Sequence, residues 1–195
     1  MIQNILTFLK NKYALDLSNP VITLPMDRFR GFCGLLSELQ METGAEVGTL
    51  KGWYAKWLLL KNRKLKLYCV DEFRAYDDYS IYRDQKMLDD FEKEAHDRLA
   101  TLNAVFVKKS SMEAVKDFQD NSLDFVYIDA NHHFDYVAND IREWHKKVKV
   151  GGIVSGHDYS TYMFDVKKAV DEWVGKQNIK PLFLIGNKTW FYVKQ

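Results

Sequence analysis

Residues 123–135 read LDFVYIDANHHFD. An apolar run rich in β-branched and aromatic residues ends abruptly at Asp129, and two histidines, His132 and His133, follow it. A short apolar run bounded by polar residues is typical of a buried strand. The pattern therefore predicts a strand over 123–129 that ends in a polar loop.

Strands and helices alternate on both sides of this stretch. Five buried strands are predicted, at 43–48, 66–71, 104–109, 123–129 and 151–158. Helical patterns follow them, at 50–63, 84–101, 111–119, 134–148 and 163–177. The chain then closes with two strands around Gly186-Asn187, which is a hairpin signal. This order predicts an α/β, doubly wound fold with a mostly parallel seven-stranded sheet and an antiparallel C-terminal hairpin.

The N-terminal part of the chain has a different pattern. Residues 1–14 and 27–41 have helical spacing, and two prolines break the stretch between them. We expect residues 1–42 to form a helical cap or an interface, through which the chain could form a homo-oligomer. Residues 43–195 are the expected catalytic core, and 195 residues suffice for a single domain with a sizeable core.

The composition predicts a globular cytoplasmic protein. Apolar residues make up 47% of the chain, charged residues 28%, and the formal charge is +1, so no general attraction to nucleic acid or membranes is expected. No apolar run approaches the roughly 18 residues of a membrane span, and the N-terminus looks like an amphipathic helix rather than a signal peptide. The two cysteines, Cys33 and Cys69, form no C-x-x-C pair and are expected to be reduced.

Polar residues follow the predicted parallel strands at their carboxyl ends. Right-handed crossovers place those ends along one edge of the sheet, where ligands of such folds bind. The residues that this rule brings together are Glu46, Gly48, Asp71, Ser110, Ser111, Asp129, His132, His157 and Asp158. The sequence therefore predicts one ligand site along that edge.

The first strand–helix turn distinguishes between two classes of cofactor. The turn EVGTLKG (46–52) lacks the three glycines of a dinucleotide-binding loop, and the Glu46 carboxylate would repel a pyrophosphate. The same carboxylate suits a ligand that carries an ammonium and a sulfonium group. Asp71 can accept hydrogen bonds from ribose hydroxyls, which both classes offer. An NAD(P)-dependent oxidoreductase and a non-catalytic cofactor-binding module remain as alternatives.

Three stretches resemble, in order, the motifs of class I S-adenosylmethionine-dependent methyltransferases, in the branch of small O-methyltransferase-like enzymes. They are EVGTLKG (46–52), LDFVYIDANHHFDYVANDI (123–141) and VKVGGIVSGHDY (148–159). The resemblance runs from about residue 43 to the end of the chain. It implies a Rossmann-like methyltransferase fold, S-adenosylmethionine as the cofactor, and O-methylation of a small hydroxylated molecule.

The resemblance also implies which residues bind the cofactor. They are Glu46, Gly48, Thr49, Gly52, Asp71, Ser110, Ser111 and Asp129. The two glycines and Glu46 would surround the methionine part, and Thr49 would either bind the cofactor carboxylate or act as a helix N-cap. Asp71 would bind the ribose, and the two serines would lie near the adenine.

The aspartate and the first histidine of the opening stretch are the implied catalytic pair. Asp129 would be a cation ligand or orienting group and His132 the general base, a role that suits an imidazole. His133 is expected to be a bystander that caps the next helix. With His157 and Asp158, Asp129 would hold a divalent cation (Mg, Mn or another), and the imidazole favours Mn, Fe or Zn over Mg. In the alternative, no metal binds and His157 contacts the substrate.

Further predictions concern the helix after this stretch and one polar segment. Asp140 is expected to pair with a neighbouring basic residue, Trp144 to lie in the core, and His145 to be solvated within a charged pattern. The tyrosine-rich segment 71–84 is expected to form either a substrate lid or a surface excursion.

Overall fold

The computed structural model of the protein describes residues 4–75, 84–186 and 188–195. Within these ranges eight strands form one sheet in the order β1-β7-β8-β6-β5-β2-β3-β4. The strands are β1 (Val21–Leu24), β2 (Thr43–Val47), β3 (Lys66–Val70), β4 (Ala104–Val107), β5 (Leu123–Ile128), β6 (Val148–Gly156), β7 (Leu182–Ile185) and β8 (Thr189–Val193). Among these described strands, only β8 runs antiparallel to its neighbours, β6 and β7. The predicted doubly wound α/β class with its C-terminal hairpin is confirmed.

Helices cover both faces of the sheet. They are α1 (Ile5–Tyr13), α2 (Cys33–Glu38), α3 (Trp53–Lys61), α4 (Gln85–Leu99), α5 (Ser111–Ala114), α6 (Phe134–Lys147) and α7 (Phe164–Lys176). Alternate residues of β5 belong to two separate cores, Phe125 to the one under α1–α3 and Val126 to the one under α6 and α7. This alternation is expected of a strand buried on both sides. In the described ranges, no helix has the length and apolar character needed to cross a membrane.

The N-terminal segment contributes a strand as well as helices. Residues Val21–Leu24, in the stretch interpreted as a break between helices, form β1 and pair in parallel with β7. Pro20 and Pro25 flank this edge strand and do not lie within it. The strand therefore loses no hydrogen bond to the N–H group that proline lacks. The sheet therefore has one strand more than the seven predicted.

The predicted helix over 27–41 begins with a π-helical turn, Arg28–Phe32, before α2. Asp27 caps this turn, since its Oδ1 accepts hydrogen bonds from the amides of Phe29 (2.8 Å) and Arg30 (2.7 Å). The cap fixes the direction of Arg28, which points toward the end of β5. The predicted lid over 71–84 falls largely on residues 76–83, which lie outside the described ranges.

Candidate active site

The carboxyl ends of the parallel strands line one cavity of about 930 Å³. The structure brings together at this cavity the predicted residues Glu46, Gly48, Thr49, Asp71, Ser110, Ser111, Asp129, His132, His157 and Asp158. Gly52 lies behind the cavity wall, at the start of α3. The edge of the sheet that the strand order selects is thus the edge that carries the cavity.

The turn after β2 forms the floor of the cavity. Gly48 has a φ of 94°, and a Cβ atom there would lie 2.2 Å from the carbonyl oxygen of Asp129. Only glycine therefore allows the ends of β2 and β5 to approach so closely. Gly52 is the N-cap of α3 with a φ of 71°, so the capping role considered for Thr49 is wrong. Thr49 is buried, and within the described residues its hydroxyl has no hydrogen-bond partner.

Glu46 is a buried carboxylate on this floor. Its side chain is 2% exposed, and in the described part of the chain its Oε2 atom has no hydrogen-bond partner. Burial raises the pKa of Glu46 well above its ordinary value, and the nearby Asp129 and Asp71 carboxylates act in the same direction. A buried acceptor without a donor, at the wall of a cavity, fits a ligand that brings an ammonium group.

Asp71 is held in a fixed orientation at the end of β3. Its Oδ2 atom accepts a hydrogen bond from the Leu50 amide at 2.8 Å, and its Oδ1 atom accepts one from the Phe73 amide at 2.9 Å. Burial raises the pKa of Asp71, and these two backbone hydrogen bonds oppose the rise. Each carboxylate oxygen keeps a further lone pair for a hydroxyl of a ligand in the cavity.

The two serines after β4 have separate hydrogen-bonding roles. Ser110 is the N-cap of α5, and its hydroxyl donates to Glu113 at 2.7 Å in a capping box. The Ser111 hydroxyl donates to Asp140 and accepts from Nε1 of Trp144 at 2.8 Å. Trp144 is fully buried, as predicted. The prediction that Asp140 pairs with a basic residue is wrong, because α6 turns it inward toward a hydroxyl.

Two acids and a histidine meet where β5 and β6 end. The Nε2 atom of His132 lies 3.2 Å from Oδ2 of Asp158 and 3.8 Å from Oδ1 of Asp129. The two carboxylates, Asp129 first, raise the pKa of His132 because they stabilise its protonated form. The arrangement strengthens His132 as a proton acceptor.

The same three residues could hold a metal ion. One ligand atom each from Asp129, His132 and Asp158 lies within 4.8 Å of the others. His157, predicted as the imidazole ligand, stands beside this set, with its Nδ1 atom 3.2 Å from Asp158 Oδ1 and 3.9 Å from Asp129 Oδ1. His133 occupies the N-cap of α6 without a side-chain capping hydrogen bond, and it is exposed outside the cavity wall.

The N-terminal segment adds an arginine to the site that no strand-end rule indicates. Nη1 of Arg28 lies 3.5 Å from Oδ2 of Asp129 and donates to the Tyr127 hydroxyl at 3.4 Å. Its guanidinium also lies over the rings of Phe29 and Tyr54, 4.7 Å and 5.0 Å from their centroids. Arg28 therefore places a positive charge against the carboxylate at the centre of the site.

Comparison with known proteins identifies the family. The family model described as a methyltransferase domain matches residues 45–159, which is more than half of the chain. The match covers the strands from β2 to β6 and the cavity residues that follow them. A comparison with curated protein sequences finds no significant match.

Solved structures share the fold. Cofactor-bound Rv0187 from MTB has a TM-score of 0.65 at 12% identity, covering 98% of this chain and 89% of that one. The O-methyltransferase from Bacillus cereus in complex with SAH has a TM-score of 0.61 at 14% identity, covering 98% and 90%. The O-methyltransferase NovP has a TM-score of 0.63 at 18% identity, covering 84% and 77%. Likeness at such low identities shows the fold, and the family match adds the class of protein. The chain belongs to the methyltransferase-domain family, within the class I S-adenosylmethionine-dependent methyltransferases.

Proposed function

We propose that this methyltransferase methylates a hydroxyl oxygen of a small molecule, with His132 as the general base. The observation that carries the proposal is the position of His132 on the cavity wall, between the carboxylates of Asp158 and Asp129. A hydroxyl group is a poor nucleophile until a positioned base takes its proton. An imidazole flanked by two acids is suited to that task.

The described residues fit the cofactor of this class. Glu46, with its unpartnered buried oxygen, would take the ammonium group, and the Thr49 hydroxyl would donate to the carboxylate. Asp71 would accept hydrogen bonds from the ribose hydroxyls. When bound, S-adenosylmethionine would supply an electrophilic methyl group on a sulfonium sulfur, and the neutral thioether would be the leaving group.

The chain's own residues then align the acceptor and move its proton. The His132 imidazole takes the hydroxyl proton, and the Asp158 carboxylate, 3.2 Å from its Nε2 atom, stabilises the resulting imidazolium. Asp129 adds a second negative charge, which Arg28 partly balances. The wall of the cavity holds the acceptor oxygen in line, which accounts for a large share of catalysis in displacement reactions.

A base and a metal ligand are exclusive roles for His132, because an imidazole nitrogen bound to a cation cannot accept a proton. The Arg28 guanidinium already lies 3.5 Å from Asp129 and supplies positive charge where a cation would bind. This contact supports the metal-free arrangement as the resting form. In a second arrangement, a cation would be held by Asp129, Asp158 and His157, whose Nδ1 atom lies 3.9 Å and 3.2 Å from the two carboxylates.

The aromatic lining of the cavity favours a flat acceptor molecule. Trp53 and Tyr136 line the cavity and are 56% and 46% exposed, and the Phe29 and Tyr54 rings lie nearby around Arg28. Exposed rings on a cavity wall bind planar or sugar-like ligands through their faces. We therefore propose a small hydroxylated acceptor with a planar face.

Transfer of labelled methyl from S-adenosylmethionine to a panel of hydroxylated aromatic and sugar-like compounds tests this function. For an acceptor found in this way, His132→Ala should lower turnover by about 100-fold or more, since a positioned base typically contributes 10²–10⁴. His133→Ala is the matched control and should stay close to wild type. The proposal is overturned if His132→Ala turns over like wild type, or if the product carries the methyl group on nitrogen or carbon.

A further inference from the structure

The strand order sets the direction in which an elongated ligand lies along the sheet edge. From β6 through β5, β2 and β3 to β4, the edge presents in turn Asp158, Asp129, Glu46, Asp71 and Ser110. The proposed base lies at the β5–β6 end, and Asp71 lies toward β4. A ligand whose reacting group is at the first end and whose ribose is at Asp71 must place its nucleobase at the β4 end.

A buried acid lines the cavity at that end. Asp140 of α6 is 4% exposed and borders the cavity together with Ser111 and Met112. In the described stretches of the chain, the Ser111 hydroxyl is its one hydrogen-bond donor, and it bonds to Oδ1. No basic side chain of those stretches pairs with Asp140. A carboxylate buried in this way is costly unless a ligand brings a further donor.

The direction of the hydrogen bonds follows from the donor inventory. The indole of Trp144 can only donate, so Ser111 accepts from it and gives its single hydroxyl proton to Asp140 when that carboxylate is ionised. Ser111 therefore has no proton left for a nucleobase. The acceptor presented to the cavity at this end is the second oxygen of Asp140.

We propose that Asp140 recognises the exocyclic amino group of the cofactor's adenine, with Ser111 as a positioning residue that holds the carboxylate. An aspartate accepts hydrogen bonds from an exocyclic amine, which is also how such residues read amino-bearing bases elsewhere. The inference rests on the proposed use of S-adenosylmethionine in this cavity. It reassigns the nucleobase contact from Ser111 to a residue on α6.

Calorimetry with two ligands tests the proposal. S-adenosylhomocysteine carries the 6-amino group, and S-inosylhomocysteine carries a 6-oxo group, an acceptor, in its place. Both are titrated at pH 8 into wild type, Asp140→Asn and the control Glu143→Gln. Glu143 lies on the same helix, its carboxylate pairs with Arg142 and Lys146, and it does not line the cavity.

Wild type should bind the adenosyl ligand at least about tenfold more tightly than the inosyl ligand, because the latter leaves buried polar groups unpaired. Asp140→Asn should lose or invert this preference, since the amide can donate to the 6-oxo group, whereas Glu143→Gln should keep it. Ser111→Ala should reduce the preference and Ser111→Thr should restore it, which gives the same information if Asp140→Asn does not fold.

Equal affinity of wild type for the two ligands, or an unchanged preference in a folded Asp140→Asn or Ser111→Ala variant, overturns the inference. These results leave the proposed function standing as long as S-adenosylhomocysteine binds. If folded wild type binds neither ligand, the proposed function fails together with the inference.

Discussion

The Nε2 atom of His132 lies 3.2 Å from Oδ2 of Asp158, although the two residues follow different strands. Asp158 adopts a φ of 57°, in the left-handed region that non-glycine residues rarely enter. Residues held in such conformations concentrate at functional sites, where the surrounding fold over-determines them. The backbone at the end of β6 is thus bent so that Asp158 faces the histidine after β5.

This contact predicts the effect of removing one charge. Asp158→Asn should lower turnover by about tenfold or more, because the imidazolium formed at His132 loses its closest counter-charge. Asparagine tolerates the left-handed backbone, so the fold should be unchanged. Steady-state kinetics and S-adenosylhomocysteine titration check this, with Asp171→Asn on the surface of α7 as the control. An unchanged turnover number would show that Asp158 does not support the base.

Glu46→Gln should make the protein more stable and should weaken its binding of the cofactor. The glutamine removes a buried charge whose pKa is raised by desolvation, so the thermal midpoint at pH 8 should increase. Because the charge-assisted contact is lost, the affinity for S-adenosylhomocysteine should fall by about tenfold or more. Calorimetry and thermal unfolding on one preparation measure both effects. Affinity equal to wild type would remove Glu46 from the cofactor site.

Arg28 should oppose cation binding at the acidic cluster. Because its guanidinium lies 3.5 Å from Asp129, Arg28→Met should tighten Mn²⁺ binding, by about tenfold from the repulsion removed. Electron paramagnetic resonance of free Mn²⁺ measures the affinity, and Arg30→Met on the same turn is the matched control. If both variants bind Mn²⁺ as wild type does, the Arg28 charge has no influence on the cluster.

Asp140 should make stability fall as the pH rises from about 4 to 7. Burial raises the pKa of Asp140 from 3.8 to about 7. Between these values the unfolded chain loses the proton while the folded chain keeps it. The unfolded state is therefore stabilised relative to the folded state as the pH rises. Asp140→Asn removes this loss. The free energy of unfolding of the variant should therefore exceed that of wild type by an amount that grows across this pH range to a few kcal/mol. Urea unfolding at pH 4.5 and 8 checks it; a difference independent of pH would contradict it.

His145 should have the opposite effect on stability over an overlapping range of pH. The structure places it half-buried between Trp173 and Tyr192, with Nδ1 3.0 Å from the Tyr192 hydroxyl, so the prediction that it is solvated is wrong. Burial lowers the pKa of His145 from 6.5 to about 4. Stability should therefore be lost as the pH falls from about 6.5 to 4, since only the unfolded chain gains the proton.

The acid unfolding midpoint measures this effect. His145→Gln should unfold at a lower pH than wild type, because the glutamine has no proton to gain. His133→Gln, at an exposed position, should follow wild type. A midpoint shared by wild type and His145→Gln would show that this histidine titrates alike in both states.

The strand ends were predictable from the sequence because they follow from periodicity and topology alone. Apolar runs locate β2, β3 and β5, and parallel pairing then brings Glu46, Asp71 and Asp129 to one edge. What could not be predicted depends on packing between distant elements. The contact of Arg28 with Asp129 requires the N-terminal turn to fold over β5, and no period in the sequence encodes it.

The direction of the Asp140 side chain could not be predicted from the sequence for a similar reason. A polar residue in a charged helix is expected to face solvent or a neighbouring base, but α6 lies over α5 and buries this position. Strand β1 was missed for a related reason, since four residues between two prolines form a strand only when β7 offers an edge. Tertiary contacts decided each of these cases.

Calorimetric titration of the wild-type chain with S-adenosylhomocysteine and, separately, with NADH shows which class of cofactor the cavity binds. We expect one-to-one binding of S-adenosylhomocysteine and no heat of binding with NADH, because Glu46 occupies the position where a pyrophosphate would lie. Binding of NADH without binding of S-adenosylhomocysteine would contradict this expectation.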